Sequence, residues 1–138
     1  MSTNLTGYSG TPLAKKLGIS AGALVVTVGA PADYQTWLAP LPDGVRFSTE
    51  LLANMSFIHL FATQKNELQS ALQTVHDLLN RNGAIWVSWP KKASKQPTNI
   101  TEDTIRELAL PMGLVDIKVC SVTEVWSGLK LVIRRQLR

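Results

Sequence analysis

The sequence predicts a three-layer α/β fold: a mainly parallel sheet of about six strands with helices on both faces and an antiparallel hairpin at its C-terminal end. Three observations predict it. Short apolar runs alternate with segments of helical periodicity along most of the chain. The run Ala84–Trp89 is apolar at both of its alternating faces, the pattern of a strand covered on two sides at the centre of a parallel sheet. The last two strand-like runs, Leu114–Val122 and Leu129–Arg134, are joined only by Thr123–Gly128. A parallel crossover needs roughly a dozen residues, so these two must pair antiparallel.

The elements follow in order. Residues 1–10 are small and polar and are expected to form a loose segment, with one domain over 11–138. Thr11 can cap a short helix, Pro12 suits its first position, Leu13 and Leu17 anchor it one turn apart, and Gly18 supplies a left-handed stop. Ala23–Val28 reads as the first strand, and Gly29–Asp33 turns into a helical piece through Tyr34, Trp37 and Leu38. Val45–Thr49 alternates apolar and polar residues, which places it near a sheet edge. Phe57–Phe61 is a third strand. Thr63 can cap a helix over Gln64–Asn80, with Leu68, Ala71, Leu72, Val75, Leu78 and Leu79 as its apolar stripe and Asn82-Gly83 as its close. After the central strand and a polar loop, Thr101 caps a second amphipathic helix that faces Ile105, Leu108, Ala109 and Met112 inward. The segment Glu50–Ser56 is short for a crossover and must run taut or form a single turn.

Charge and composition narrow the function. The net charge is +4, but the basic residues are dispersed, which disfavours nucleic acid as the partner. No apolar run is long enough for a membrane span, and the start lacks a signal pattern. One cysteine, Cys120, leaves no intrachain disulfide and no cysteine-cluster metal site, and the expected location is the cytoplasm.

Met55–Leu60 and Leu78–Val87 resemble the fourth-strand and helix-to-fifth-strand segments of the class I S-adenosylmethionine-dependent methyltransferases, whose fold is Rossmann-like. That resemblance implies that one helix–strand–helix portion of the fold is missing where Glu50–Ser56 stands. More closely, Gly7–Gly18, Trp86–Lys92, Thr101–Asp103 and Trp126–Lys130 resemble an uncharacterised bacterial family of small proteins, a domain of unknown function, over about nine-tenths of the chain.

In open α/β sheets, ligands bind beyond the carboxyl ends of the strands. Gly29-Ala30-Pro31, Thr49-Glu50 and Trp89-Pro90-Lys91-Lys92 are expected to meet there. Glu50 follows Gly29 by 21 residues, the spacing at which an acid meets ribose hydroxyls. The glycine turn is eroded, because Pro31 has no amide to donate. Lys91 and Lys92, with the Thr101 helix cap, are a candidate anion site, with ordinary exposed lysines after a strand as the other reading. His59 reads as a neutral core or edge histidine, with a general base or ligand contact as the alternative. Trp89 and Trp126 flank loops and can line a pocket. Ser9 and Ser88 show no histidine or aspartate pairing, and Cys120 reads as a small buried hydrophobe. The candidate ligand-binding set is Gly29, Pro31, Glu50, His59, Trp89, Lys91 and Lys92, with no metal.

The function expected is a non-catalytic binding or regulatory domain for an anionic or adenine-containing metabolite or a protein partner. A minimal methyltransferase using S-adenosylmethionine and a nucleic-acid accessory are the alternatives.

Overall fold

The computed structural model describes residues 10–138, so the expected loose segment falls, but for Gly10, outside the described residues. Six strands, β1 (Leu24–Val28), β2 (Arg46–Ser48), β3 (Met55–Phe61), β4 (Leu79–Pro90), β5 (Leu114–Ser121) and β6 (Trp126–Ile133), form one sheet in the order β2-β1-β3-β4-β6-β5. The pairs β1–β2, β1–β3 and β3–β4 are parallel, whereas β6 runs antiparallel to both β4 and β5. Strand β4, which carries the run Ala84–Trp89, is therefore interior, parallel to β3 on one side and antiparallel to β6 on the other. The short alternating strand β2 is at an edge, as its pattern predicts.

Alternation along the strands divides the core in two. Ile58, Leu60, Ile85, Val87 and Trp89 face α3 (Lys65–Leu78) and α4 (Glu102–Ala109), where Leu68, Leu72, Val75, Ile105 and Ala109 are buried against them. The other face turns Phe57, Phe61 and Trp86 toward α1 (Leu13–Leu17) and α2 (Tyr34–Leu38), which bury Leu13, Leu17, Tyr34, Trp37 and Leu38. Trp86 is wholly enclosed, and its indole N–H donates to the Leu17 carbonyl oxygen at 2.8 Å. A buried indole needs such a partner, and here it ties α1 to the central strand.

β3 and β6 begin earlier than expected, at Met55 and Trp126, and three helix ends also differ from expectation. Pro12, not Thr11, is the cap of α1, although Gly18 ends it in the left-handed conformation as expected. Helix α3 takes its first-turn hydrogen bond from outside: the Lys65 amide donates to Asn99 Oδ1 at 2.7 Å, and Thr63 makes no side-chain cap. That helix also ends before Asn82-Gly83. Leu79 is already extended and pairs with Met55, and Asn80–Gly83 form an irregular stretch of β4 in which the Asn82 amide donates to Asn80 Oδ1. Gly83 is required there for space, since a Cβ would lie 2.8 Å from Leu79 Cδ1 and 3.0 Å from the Met55 carbonyl oxygen.

The connection from β2 to β3 has no regular structure through Leu52 and turns at Ala53-Asn54, with Asn54 at φ 67°. No helix forms in it.

Each fully buried stripe residue of α3 contributes roughly 1.5–3 kcal/mol by burial. Leu72→Ala should lower unfolding free energy by about 2–5 kcal/mol in urea titrations, and Leu72→Asp should leave no cooperative transition. A native-like melt of Leu72→Asp would contradict this packing.

Candidate functional site

The turns after β1 and β2 and the start of α2 enclose an open cleft of about 460 Å³ at the carboxyl edge of the sheet. Its lining comprises Thr27, Ala30, Pro31, Ala32, Tyr34, Gln35, Phe47, Ser48 and Thr49. Hydroxyl and amide groups face aromatic and small apolar ones across the opening. None of these side chains is a carboxylate, an amine, an imidazole or a thiol.

Beneath the cleft lies a polar chain. The Tyr34 hydroxyl is 2.8 Å from His59 Nδ1, and His59 Nε2 is 2.7 Å from Ser88 Oγ. His59 and Ser88 are fully enclosed. One imidazole nitrogen donates and the other accepts, so a neutral ring satisfies both neighbours. Burial pushes the imidazole pKa down to about 3 and raises that of the Tyr34 hydroxyl. The ring stacks on Phe61 at 4.4 Å between centroids, with Tyr34 edge-on at 5.2 Å. His59 is thus a neutral core histidine, as its sequence context implied, held by two hydrogen bonds. Ser88 does pair with a histidine, contrary to the sequence reading. The pairing crosses 29 residues and two strands, which no local pattern reveals.

The other candidates separate. Gly29 has φ +72°, and a Cβ there would lie 2.9 Å from the Phe61 carbonyl oxygen, so packing on β3 accounts for the glycine. Pro31 lines the cleft. Glu50 is exposed just past the cleft wall, where its backbone amide donates to Ser48 Oγ. Trp89 and Lys92 line a second cleft with Thr101, Glu102, Asp103 and Arg106, on the far side of β3. There the Thr104 amide is occupied by Thr101 Oγ1 in a capping box, and Arg106 bonds Glu102, Asp103 and Asp116. Lys91 turns away toward the hairpin, where its Nζ donates to Ser121 Oγ at 2.6 Å. The three expected segments share one sheet edge but not one pocket. Among the described residues, no group of three or more histidine, cysteine, aspartate or glutamate side chains is placed to hold a metal, and no helix is long and apolar enough to cross a membrane.

A profile of the family described as "Protein of unknown function (DUF3052)" matches residues 54–135, more than half of the chain. The chain belongs to this family. The match spans β3 through β6, the part of the sheet that holds His59, Ser88 and the hairpin.

Among curated proteins, none matches. Solved structures do. A SAM-dependent methyltransferase from Aquifex aeolicus superposes with TM-score 0.61 at 15% identity, over 88% of each chain. A protein assigned as a type 11 methyltransferase from Sulfolobus solfataricus gives 0.59 at 14% identity, over 88% of this chain and 89% of that one. LepI in complex with SAM gives 0.54 at 15% identity, over 88% of this chain and 39% of its own. At such identities the likeness establishes the fold, which is methyltransferase-like and Rossmann-like.

Two outcomes follow from the geometry. Gly29→Ala should cost roughly 1–3 kcal/mol of stability, from a strained φ and contact with the Phe61 backbone, read by denaturant unfolding. The second is a pH dependence. The unfolded imidazole protonates near 6.5 and the native one near 3, so between these values the unfolded chain binds more protons. His59 therefore adds stability that is fully present above about pH 6.5 and is lost as pH falls toward 3. Between pH 7.5 and 5 the wild type should lose roughly 1–2 kcal/mol more than His59→Gln. Equal losses would contradict the neutral buried ring.

Proposed function

We propose that this chain is a non-catalytic binding domain whose cleft above β1 and β2 takes an adenine-containing metabolite through its nucleoside part. The observation that supports this reading is the cleft lining. Phe47 and Tyr34 supply aromatic surface for a base, while Thr27, Ser48, Thr49 and Gln35 supply hydroxyl and amide partners for a ribose. Glu50 stands two residues beyond Ser48, where an acidic side chain can swing toward ribose hydroxyls.

The lining holds no carboxylate, amine, imidazole or thiol, and its one phenol, Tyr34, is bonded to the buried His59, which favours binding over catalysis. General acid–base work requires a titratable group within about 2.6–3.2 Å of the proton it moves. The nearest imidazole, His59, has both nitrogens engaged and no solvent access. S-adenosylmethionine carries the same adenosine group, and a structural neighbour is described in complex with it. The turn at Gly29 is too poor in free amides to reward the rest of that molecule, because Pro31 lacks one and Gly29 is packed on Phe61.

Thermal unfolding tests the proposal. Adenosine at about 100 times its Kd should stabilise the chain by about 2.7 kcal/mol, and Ala32→Trp, which fills the cleft from an exposed turn, should abolish that shift. No shift at millimolar adenosine would overturn the reading. Micromolar S-adenosylmethionine affinity that disappears in Glu50→Ala, with methyl transfer to an acceptor, would establish a minimal methyltransferase instead.

A further inference from the structure

At the opposite edge of the sheet from the cleft, four lysines gather around the end of α1 and the hairpin. Lys16 Nζ donates to the Ser121 carbonyl oxygen at 3.2 Å, and Lys91 Nζ donates to the hydroxyl of the same serine at 2.6 Å. Lys118 Nζ donates to the Lys16 carbonyl oxygen at 2.8 Å, and Lys130 Nζ lies 6.0 Å from the Trp86 ring centre. Two ammonium groups anchored on one residue must sit close together, and like charges so placed repel. No carboxylate forms an ion pair with any of the four among the described residues. The exposed Glu124 acts on Lys91 only through its field. By contrast, Arg106 on the other face is surrounded by three carboxylates.

We propose that Lys16, Lys91 and Ser121 form a binding site for a phosphoryl dianion, with Lys118 completing its positive rim. A tetrahedral dianion offers enough oxygens to accept from both ammonium groups at once. Ser121 can add a donor, since its hydroxyl, which accepts from Lys91, itself donates only across a long 3.4 Å contact with the Thr123 carbonyl oxygen. The site is built by tertiary structure rather than by a lysine-rich segment, because Lys16 and Ser121 are 105 residues apart. Burial first, and then the neighbouring Lys16, pull the Lys91 ammonium toward deprotonation, a tension that a bound dianion relieves. The site is separate from the adenosine cleft and does not rest on it.

Cys120 gives a direct readout. It is the single cysteine of the chain, half-buried beside these groups, and the charges of Lys16, Lys118 and Lys91 all favour its thiolate against burial, which raises its pKa. A phosphoryl dianion on the lysines cancels that field, and the thiolate is the form that alkylates. Inorganic phosphate should therefore slow iodoacetamide alkylation of Cys120 by about two- to tenfold relative to chloride of matched ionic strength. AMP should act like phosphate, and adenosine should leave the rate unchanged. Lys16→Gln/Lys91→Gln should alkylate slowly from the start and lose the phosphate response. The charge-matched Lys15→Gln/Lys95→Gln should keep it. An unchanged rate in phosphate, or the same slowing in both double variants, would overturn the proposal.

Discussion

The two short hydrogen bonds of His59 are the constraint on which the cleft and the α2 face depend. Three polar side chains from α2, β3 and β4 are removed from water together, and each alone would cost about 1–3 kcal/mol if left unpaired. Paired in series, they fix Tyr34 over the strands and so fix the helix that walls the cleft. Aromatic rings finish the seal: Phe61 stacks on the imidazole and meets Trp126 edge-on at 5.1 Å. A residue type associated with proton transfer thus serves here as a neutral bridge beneath the cleft.

The carboxyl edge of the sheet divides for a related reason. Lys91 follows the end of β4 and Lys92 opens a short 3-10 helix, Lys92–Ser94, and the two side chains part there, so they do not act as a pair on one ligand. One goes to the hairpin and meets Lys16; the other opens onto α4. Likewise Glu50 and the lysines leave the sheet on strands separated by β1 and β3.

The architecture was legible because it rests on periodicity and chain length. The two-sided run ending at Trp89, the stripe through Leu68 and Leu72 and the short link after Val122 allow few alternatives, so the interior strand, the helix packed on it and the antiparallel hairpin were readable, whereas the strand order came from the structure. Where a position depended on a distant partner, local reading failed. Asn82-Gly83 has the form of a helix stop, yet Leu79 leaves the helix early because Met55 pairs with it. The cap of α3 comes from Asn99, 34 residues away. Gly29 has the composition of a ligand turn but answers to the Phe61 backbone. Ser88 and Cys120 looked inert in isolation, and only the assembled sheet places one on His59 and the other among lysines.

The central claim is that the imidazole beneath the cleft is sealed and neutral, so that it offers no proton transfer to a molecule in the cleft. Nitrogen-15 NMR of the His59 ring tests this most directly. The neutral form should persist without titration from about pH 8 to pH 5, with one nitrogen protonated throughout, because burial holds its pKa far below that range. A titration midpoint between pH 5 and 8 would show a solvent-accessible base under the cleft and contradict the account.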